Sequence, residues 1–276
     1  MARWTIDSPA TVELGDFAAL RVRLVSGSVA ILAAQGRPAI DVSALSGQPL
    51  LVTNDAGILT VGYEDMRWDG LLGLLRPQQR SADITLTVPP ECPVQLAVVN
   101  ASTTVSGVSA GISATSVSGD LTLDAVNGTV NAKSVSGDLE ASDLVGGLSF
   151  NSVNGDLTLA GGLLSQLDAK TVSGRVTADI GLPDGSGARI ATVSGEVVLR
   201  LPADQGARVE LRSASGRVRS AFDGVFDGGG YGPANASGSI GDGAASLSVT
   251  SMSGDLTLLA RAQTAAAGVA TQGGAR

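Results

Sequence analysis

A short repeat sets the strongest constraint on how this chain can fold. The unit Ser-Val-Ser-Gly-Asp-Leu begins at Ser116 and returns, with small changes, through the second half of the chain. Its glycines, at positions 119, 137, 155, 174, 195 and 216, are 18, 18, 19, 21 and 21 residues apart, and a further copy contains Gly254. Gly128 and Gly146 divide each of the first two 18-residue intervals into segments of nine residues. Each segment contains a short stretch of alternating apolar residues, which is typical of a strand. Such a period predicts a β-solenoid, because one coil cannot bury its apolar row without its neighbours.

The predicted fold is therefore all-β: a single-stranded β-solenoid (β-helix) with about 18–21 residues per coil and an N-terminal β cap. We expect residues 1–97 to form the cap and irregular first coils, residues 98–260 the regular solenoid, and residues 261–276 a disordered tail. Degenerate copies of the repeat are expected at Asn100-Ala101-Ser102 and at Ser237-Gly238-Ser239-Ile240, with a loop over residues 222–236 between the later coils.

Stacked coils place equivalent residues in rows along the solenoid. We expect two buried apolar rows: Val117, Val135, Val153, Val172 and Val193 in one, and Leu121, Leu139, Leu157, Val176, Val197 and Val218 in the other. A polar row should face outward beside them, formed by Ser118, Ser136, Asn154, Ser173, Ser194 and Ser215.

A charged row follows the glycines and consists of Asp120, Asp138, Asp156, Arg175, Glu196 and Arg217. From Asp156 onward the signs alternate, which predicts a ladder of weak ion pairs. The first three members stack like charges instead. They are either solvated turn carboxylates or a weak site for a cation or a basic partner, and the sequence does not distinguish these two hypotheses.

Composition narrows the chemistry. Aromatic residues are 3% of the chain, so the core must be aliphatic, and the absence of histidine excludes serine-histidine catalysis and most zinc chemistry. We predict no cofactor. A net charge of −8, without a run of clustered cations, predicts no nucleic-acid partner. Cys92, the single cysteine, is expected to be structural. No signal-peptide pattern and no apolar run of membrane-spanning length is seen, which predicts a cytoplasmic protein with peripheral membrane association possible.

One segment interrupts the β pattern between Val61 and Ile84. Its apolar residues are Met66, Trp68, Leu71, Leu72, Leu74 and Leu75, and four of them are spaced as one face of a helix. We expect either a helix that caps the first coil or an exposed apolar segment that contacts a partner. That partner would be an unidentified protein or a membrane surface.

The repeat units, with the opening Trp4-Thr5-Ile6 and the stretch from Arg21 to Val29, resemble the bacterial "putative adhesin" family of β-strand-repeat domains over roughly residues 1–260. The resemblance implies a β-helix and an adhesin-like role, and it brings no catalytic residues. The predicted function is a non-enzymatic scaffold or adhesin-like binding protein. A self-assembling structural protein similar to bactofilin is an alternative. A carbohydrate-active β-helix enzyme is less favoured, because the regular coils lack the aromatic platforms that bind sugar rings.

Overall fold

The structure is a computed structural model that describes residues 2–63, 80–227 and 233–261. These residues form 22 β-strands and no helix, which confirms the all-β prediction. The first strands are β1 Ala2–Ile6, β2 Ala10–Glu13, β3 Ala19–Ala33, β4 Ala39–Ser46, β5 Leu50–Asp55, β6 Ile58–Gly62, β7 Ser81–Val88, β8 Val94–Ser106, β9 Ile112–Ser116, β10 Leu121–Asp124 and β11 Asn127–Lys133. The others are β12 Leu139–Asn151, β13 Leu157–Thr171, β14 Val176–Gly181, β15 Gly187–Thr192, β16 Val197–Pro202, β17 Ala207–Ser213, β18 Val218–Ser220, β19 Val225–Asp227, β20 Ala234–Ile240, β21 Ala245–Ser251 and β22 Leu256–Arg261.

The strands form two hydrogen-bonded layers whose inward side chains share one aliphatic core. The first layer runs β1-β5-β6-β3-β8-β9-β11-β12-β13-β15-β21-β17-β20-β19. The second runs β2-β4-β7-β3-β8-β10-β12-β13-β14-β16-β22-β18. The long strands β3, β8, β12 and β13 bend from one layer into the other, so each coil crosses both layers.

The coils near the C-terminal end do not stack in chain order. β21 lies between β15 and β17, and β22 lies between β16 and β18, with all of these neighbours parallel. In chain order, β17 and β18 form the outer coil first. The chain then returns through β19 and β20, and β21 and β22 form the coil that lies between β15–β16 and β17–β18. The prediction of a repeat copy at residues 237–240 is wrong, because this stretch belongs to β20, which pairs antiparallel with β17. The predicted loop over residues 222–236 contains β19 and the start of β20.

The N-terminal end uses a similar arrangement. β3 lies between β8 on one side and β6 and β7 on the other. Beyond them, β5 and β4 pair antiparallel with β6 and β7, and β1 and β2 are the outermost strands. The boundary predicted between residues 97 and 98 falls inside β8, whose pairing with β3 extends from Leu20 opposite Val94 to Leu32 opposite Ser106.

The two predicted apolar rows behave differently. The row from Leu121 to Val218 is buried, and Leu256 lies in it between Val197 and Val218 because of the changed coil order. The prediction for the other row is wrong: its five valines are 38–47% exposed. The inward–outward alternation of side chains is broken once at each corner, because Val117 and Ser118 are consecutive and both point outward. The valine is therefore exposed, and the alternation resumes with Gly119 on the inside.

Candidate functional site

The repeat forms a corner between the two layers, which we call the ladder corner: residues 116–120 and their equivalents in neighbouring coils. Its first residue is a serine or threonine whose hydroxyl accepts a hydrogen bond from the glycine N–H three positions later. The pair recurs in seven coils at 2.7–2.9 Å: Ser116–Gly119, Ser134–Gly137, Ser152–Gly155, Thr171–Gly174, Thr192–Gly195, Ser251–Gly254 and Ser213–Gly216. Because a buried N–H needs an acceptor, this hydroxyl turns inward and the next residue, the valine, turns outward.

The close approach of neighbouring coils requires glycine at the fourth position of the ladder corner. A Cβ atom on Gly137 would lie 2.2 Å from the carbonyl oxygen of Gly119, and one on Gly155 would lie 2.2 Å from that of Gly137. Any side chain would therefore force the coils apart. The repeated glycine makes the tight stack possible, and the stack aligns the residues on either side into straight rows.

An exposed apolar ridge runs along the ladder corner. We call it the valine row: Val117, Val135, Val153, Val172 and Val193, followed by Met252, whose exposures are 38%, 47%, 43%, 46%, 41% and 61%. Met252 is next to Val193 because it belongs to the inserted coil, in which Ser251 pairs with Thr192. Contiguous exposed apolar surface is uncommon on a soluble monomer and is often functional.

The polar row beside the valine row faces outward, as predicted. Ser118, Ser136 and their equivalents are exposed, and Ser253 joins the row between Ser194 and Ser215. Their backbone N–H groups donate to the carbonyl oxygens of the valine row one coil away, for example from Ser136 to Val117 at 2.9 Å. The row therefore continues the hydrogen-bonded stack around the corner and presents only short polar side chains.

The first three members of the charged row have a structural use. Asp120 Oδ1 accepts the N–H of Asp138 at 3.0 Å, and Asp138 Oδ1 accepts the N–H of Asp156 at 2.8 Å. Asp156 Oδ1 accepts the N–H of Arg175 at 2.7 Å. Each carboxylate thus binds a backbone donor of the next coil, which offsets the repulsion between stacked like charges. Among the described residues, no three carboxylate, cysteine or histidine side chains are grouped as metal ligands. A weak cation or basic-partner site at Asp120, Asp138 and Asp156 stays a prediction.

The rest of the charged row differs from the predicted order, because Asp255 lies between Glu196 and Arg217. Arg175 Nε is 3.4 Å from Glu196 Oε2, and the Arg217 guanidinium donates from Nε and Nη2 to Asp255 Oδ2 at 3.0 and 2.6 Å. The backbone N–H of Arg217 also donates to Asp255 Oδ1 at 2.9 Å. These backbone and guanidinium hydrogen bonds lower the pKa of Asp255.

The outer face of the first layer carries a charge pattern that sequence reasoning missed. Among the residues that the structure describes, its outward positions hold eight cations and three acids. The cations are Arg3, Arg21, Arg23, Lys133, Lys170, Arg189, Arg208 and Arg212, and the acids are Asp55, Asp168 and Glu210. This basic face thus has a local charge of 8 − 3 = +5 in a chain whose net charge is −8. The signal in the sequence is a period of two, as in Arg21-Val22-Arg23. It becomes meaningful only when strands from distant coils are known to share one layer.

The apolar segment with Met66, Trp68, Leu71, Leu72, Leu74 and Leu75 lies outside the described residues, as does the tail from 262 onward. The residues on either side of the segment are close together: Arg80 Cζ is 5.6 Å from the centre of the Tyr63 ring, a cation–π contact. The role of the segment as a cap or as a contact surface stays a prediction.

Residues 52–259 match the family described as Toastrack DUF4097. The chain belongs to the Toastrack DUF4097 family. The match extends from β5 to β22 and includes both the whole valine row and most of the basic face, and it agrees with the resemblance to adhesin-like repeat domains drawn from the motifs. A comparison with curated proteins finds no match.

Solved structures similar to this Toastrack chain include a "putative adhesin" from Bacteroides fragilis, at 10% identity and a TM-score of 0.46, covering 94% of this chain and 97% of that one. A "putative lipid binding protein" from Parabacteroides distasonis has 12% identity and a TM-score of 0.40, with 92% and 97% covered. A "putative cell adhesion protein" from Clostridium sporogenes has 10% identity and a TM-score of 0.28, with 92% and 100% covered. These identities and scores are too low to transfer a function.

The described residues also contain no helix able to cross a membrane.

Proposed function

We propose that this Toastrack chain is a non-enzymatic, adhesin-like binding scaffold that docks through its basic face onto an anionic surface. The observation that carries the proposal is the segregation of charge: a face of +5 on a chain of −8. Both lysines of the chain, Lys133 and Lys170, lie on this face. Residues between the cations are mostly short, such as Ser113, Ser149 and Ser248, so a partner can approach the backbone closely.

Screening lets the basic face act independently of the chain's net charge. The two layers of a sandwich lie about 10 Å apart, while the Debye length at physiological ionic strength is about 8 Å. A partner at the basic face is therefore largely shielded from the acidic side chains of the second layer. Each Lys or Arg brought to an anionic membrane contributes about 1 kcal/mol, so a face with a surplus of five cations binds such a surface reversibly.

Vesicle co-sedimentation tests this proposal. Vesicles with a phosphatidylserine fraction should recover the protein at low salt and release it at high salt, whereas neutral vesicles should not recover it. The double variant Arg189→Glu with Arg208→Glu should lose binding. The matched control Arg37→Glu with Arg219→Glu makes the same change in net charge away from the basic face and should retain it.

An equal loss of vesicle binding in the two double variants would mean that the net charge of the protein, and not the basic face, governs binding. The proposal would then be wrong. Failure of the wild-type protein to bind any anionic vesicle, together with binding to an acidic polypeptide such as polyglutamate, would move the partner from a membrane to a protein. Failure to bind either would overturn the proposal.

We further propose that the stack is a single-stranded β-helix closed by an N-terminal cap, and that it works as a discrete particle. The support is that antiparallel strands cover the N-terminal end in both layers, with β1 and β2 outermost, and the C-terminal end in the first layer, through β20 and β19. A filament similar to bactofilin would need parallel coils to continue across the ends. Sedimentation over a concentration series distinguishes the two: open-ended growth of the sedimenting species would favour the filament.

A further inference from the structure

We infer that the valine row is the interface of a side-by-side homodimer, in which the valine rows of two copies pack against each other. The side chains of the row are exposed by 38–61% and follow one another at one coil spacing, about 4.8 Å. This interface lies on the corner and uses the adjoining edge of the basic face, where Arg23, Lys133, Lys170 and Arg212 lie, while Arg3, Arg21, Arg189 and Arg208 stay outside it. The inference goes beyond the proposed docking function and does not depend on it.

The spacing of the valine row points to a second copy as its partner. A row of similar apolar side chains with a fixed step packs without gaps only against a surface with the same step, and another copy of this chain has that step by construction. Rows of identical side chains at this spacing form dry, closely packed interfaces in stacked β structures. The neighbouring polar row, with Ser118, Ser136 and Asn154, has no bulky side chain that would keep two ridges apart.

Charge determines the orientation of the two copies. A row that we call the leading row lies on one side of the valine row, two positions earlier in each coil. It contains four cations and no acid. Its members are Arg23, Ala97, Thr115, Lys133, Asn151, Lys170, Ala191, Thr250 and Arg212. On the other side lies the charged row, with five carboxylates and two arginines. A two-fold axis parallel to the stack places the leading row of one copy opposite the charged row of the other. An axis across the stack places like rows together.

The favoured dimer is therefore parallel, with each coil facing its own counterpart. Lys133 of one copy then faces Asp138 of the other. With Val99 and Ala214, which occupy the equivalent corner position of the coils at its two ends, the valine row spans seven coil steps, roughly 34 Å. The leading, valine, polar and charged rows together are roughly 14 Å wide. The total buried surface is then about 900–1,000 Å², less than the roughly 1,200–2,000 Å² of stable specific interfaces, so we expect a weak, concentration-dependent dimer.

Cysteine cross-linking tests both the interface and its orientation. In the parallel dimer every member of the valine row faces itself, so Val117→Cys alone and Val193→Cys alone should each form an intermolecular disulfide under mild oxidation. Val145→Cys is the matched control, because Val145 is 42% exposed but lies at the opposite corner, and it should not cross-link. The native Cys92 is buried and does not compete.

Sedimentation of lysine variants gives a second readout. Val153→Lys should raise the dimer dissociation constant at least tenfold, whereas Val145→Lys should leave it unchanged; both side chains are exposed, so neither variant should lower the melting temperature appreciably. A wild-type protein that stays monomeric at all concentrations, or equal cross-linking by Val145→Cys, would overturn the inference. Cross-linking only when the Val117→Cys and Met252→Cys proteins are mixed would overturn the parallel orientation. Vesicle binding is tested separately, through Arg189 and Arg208 of the basic face, which lie outside this interface.

Discussion

Replacing Gly155 with alanine should open the stack at its most regular part. The new Cβ atom would lie 2.2 Å from the carbonyl oxygen of Gly137 and 2.7 Å from the hydroxyl of Ser152. An ordinary contact between carbon and a carbonyl oxygen is about 3.3 Å or more, so the coils would have to separate locally by about 1 Å. That is roughly a fifth of the normal distance between coils.

The energetic cost follows from what this separation disturbs. Forcing an extra methyl group into packed structure costs about 1–3 kcal/mol. The separation also weakens the hydrogen bond from the Asn154 N–H to the Val135 carbonyl of the neighbouring coil, now 2.9 Å. The clash with the Ser152 hydroxyl weakens the bond that this hydroxyl accepts from the Gly155 N–H, now 2.8 Å. Each is worth about 0.5–1.5 kcal/mol. We expect a loss of about 3 kcal/mol in unfolding free energy, equivalent to a fall in Tm of about 6–12 °C.

Equilibrium urea unfolding followed by circular dichroism, with thermal melting in parallel, measures this loss. Gly15→Ala is the control, because a Cβ atom at Gly15 has no neighbour within 4 Å. That variant should be neutral or slightly stabilising, since alanine reduces the entropy of the unfolded chain. If the unfolding free energies of Gly155→Ala and Gly15→Ala agree within about 0.5 kcal/mol, the close approach between coils would be refuted.

Three further predictions concern single groups. Thr192→Val should lower the unfolding free energy by about 1–3 kcal/mol in urea titrations, because the Gly195 N–H loses the acceptor it now has at 2.9 Å; no loss would mean that water replaces the hydroxyl. The pKa of Asp255 is lowered in the folded state, so its stabilising effect exists above the ordinary carboxyl pKa and disappears as the pH falls through the lowered value. Wild type should therefore exceed Asp255→Asn in urea stability at pH 6 and lose that advantage near pH 2, whereas an advantage that is independent of pH would contradict the assignment. Burial raises the pKa of the Cys92 thiol to about 11, so a thiol reagent at pH 8 should label the native protein slowly and the urea-unfolded protein quickly; fast native labelling would show that this part of the stack opens.

The sequence by itself determined the repeating unit of this protein. The spacing of Gly119, Gly137 and Gly155 predicts the length of the coil, and the alternation at Leu121 and Leu123 predicts its buried side; both predictions are confirmed. These features are local. A glycine that must lie under a carbonyl group, and an apolar residue that must alternate with polar ones, are visible within one or two periods of the chain.

Only the tertiary structure decided which way the corner valines face and which coils are neighbours. Val117 matches the parity of Leu121, and its outward position depends on the inward hydroxyl of Ser116, a hydrogen bond that alternation does not predict. Met252 lies beside Val193 although 59 positions separate them in sequence, because the last coil fills a gap between two earlier ones. The basic face likewise depends on pairings between distant strands. A local repeat fixes the shape of one coil, whereas the order of the coils is set by backbone hydrogen bonds between segments far apart in the chain, and the period alone does not encode that order.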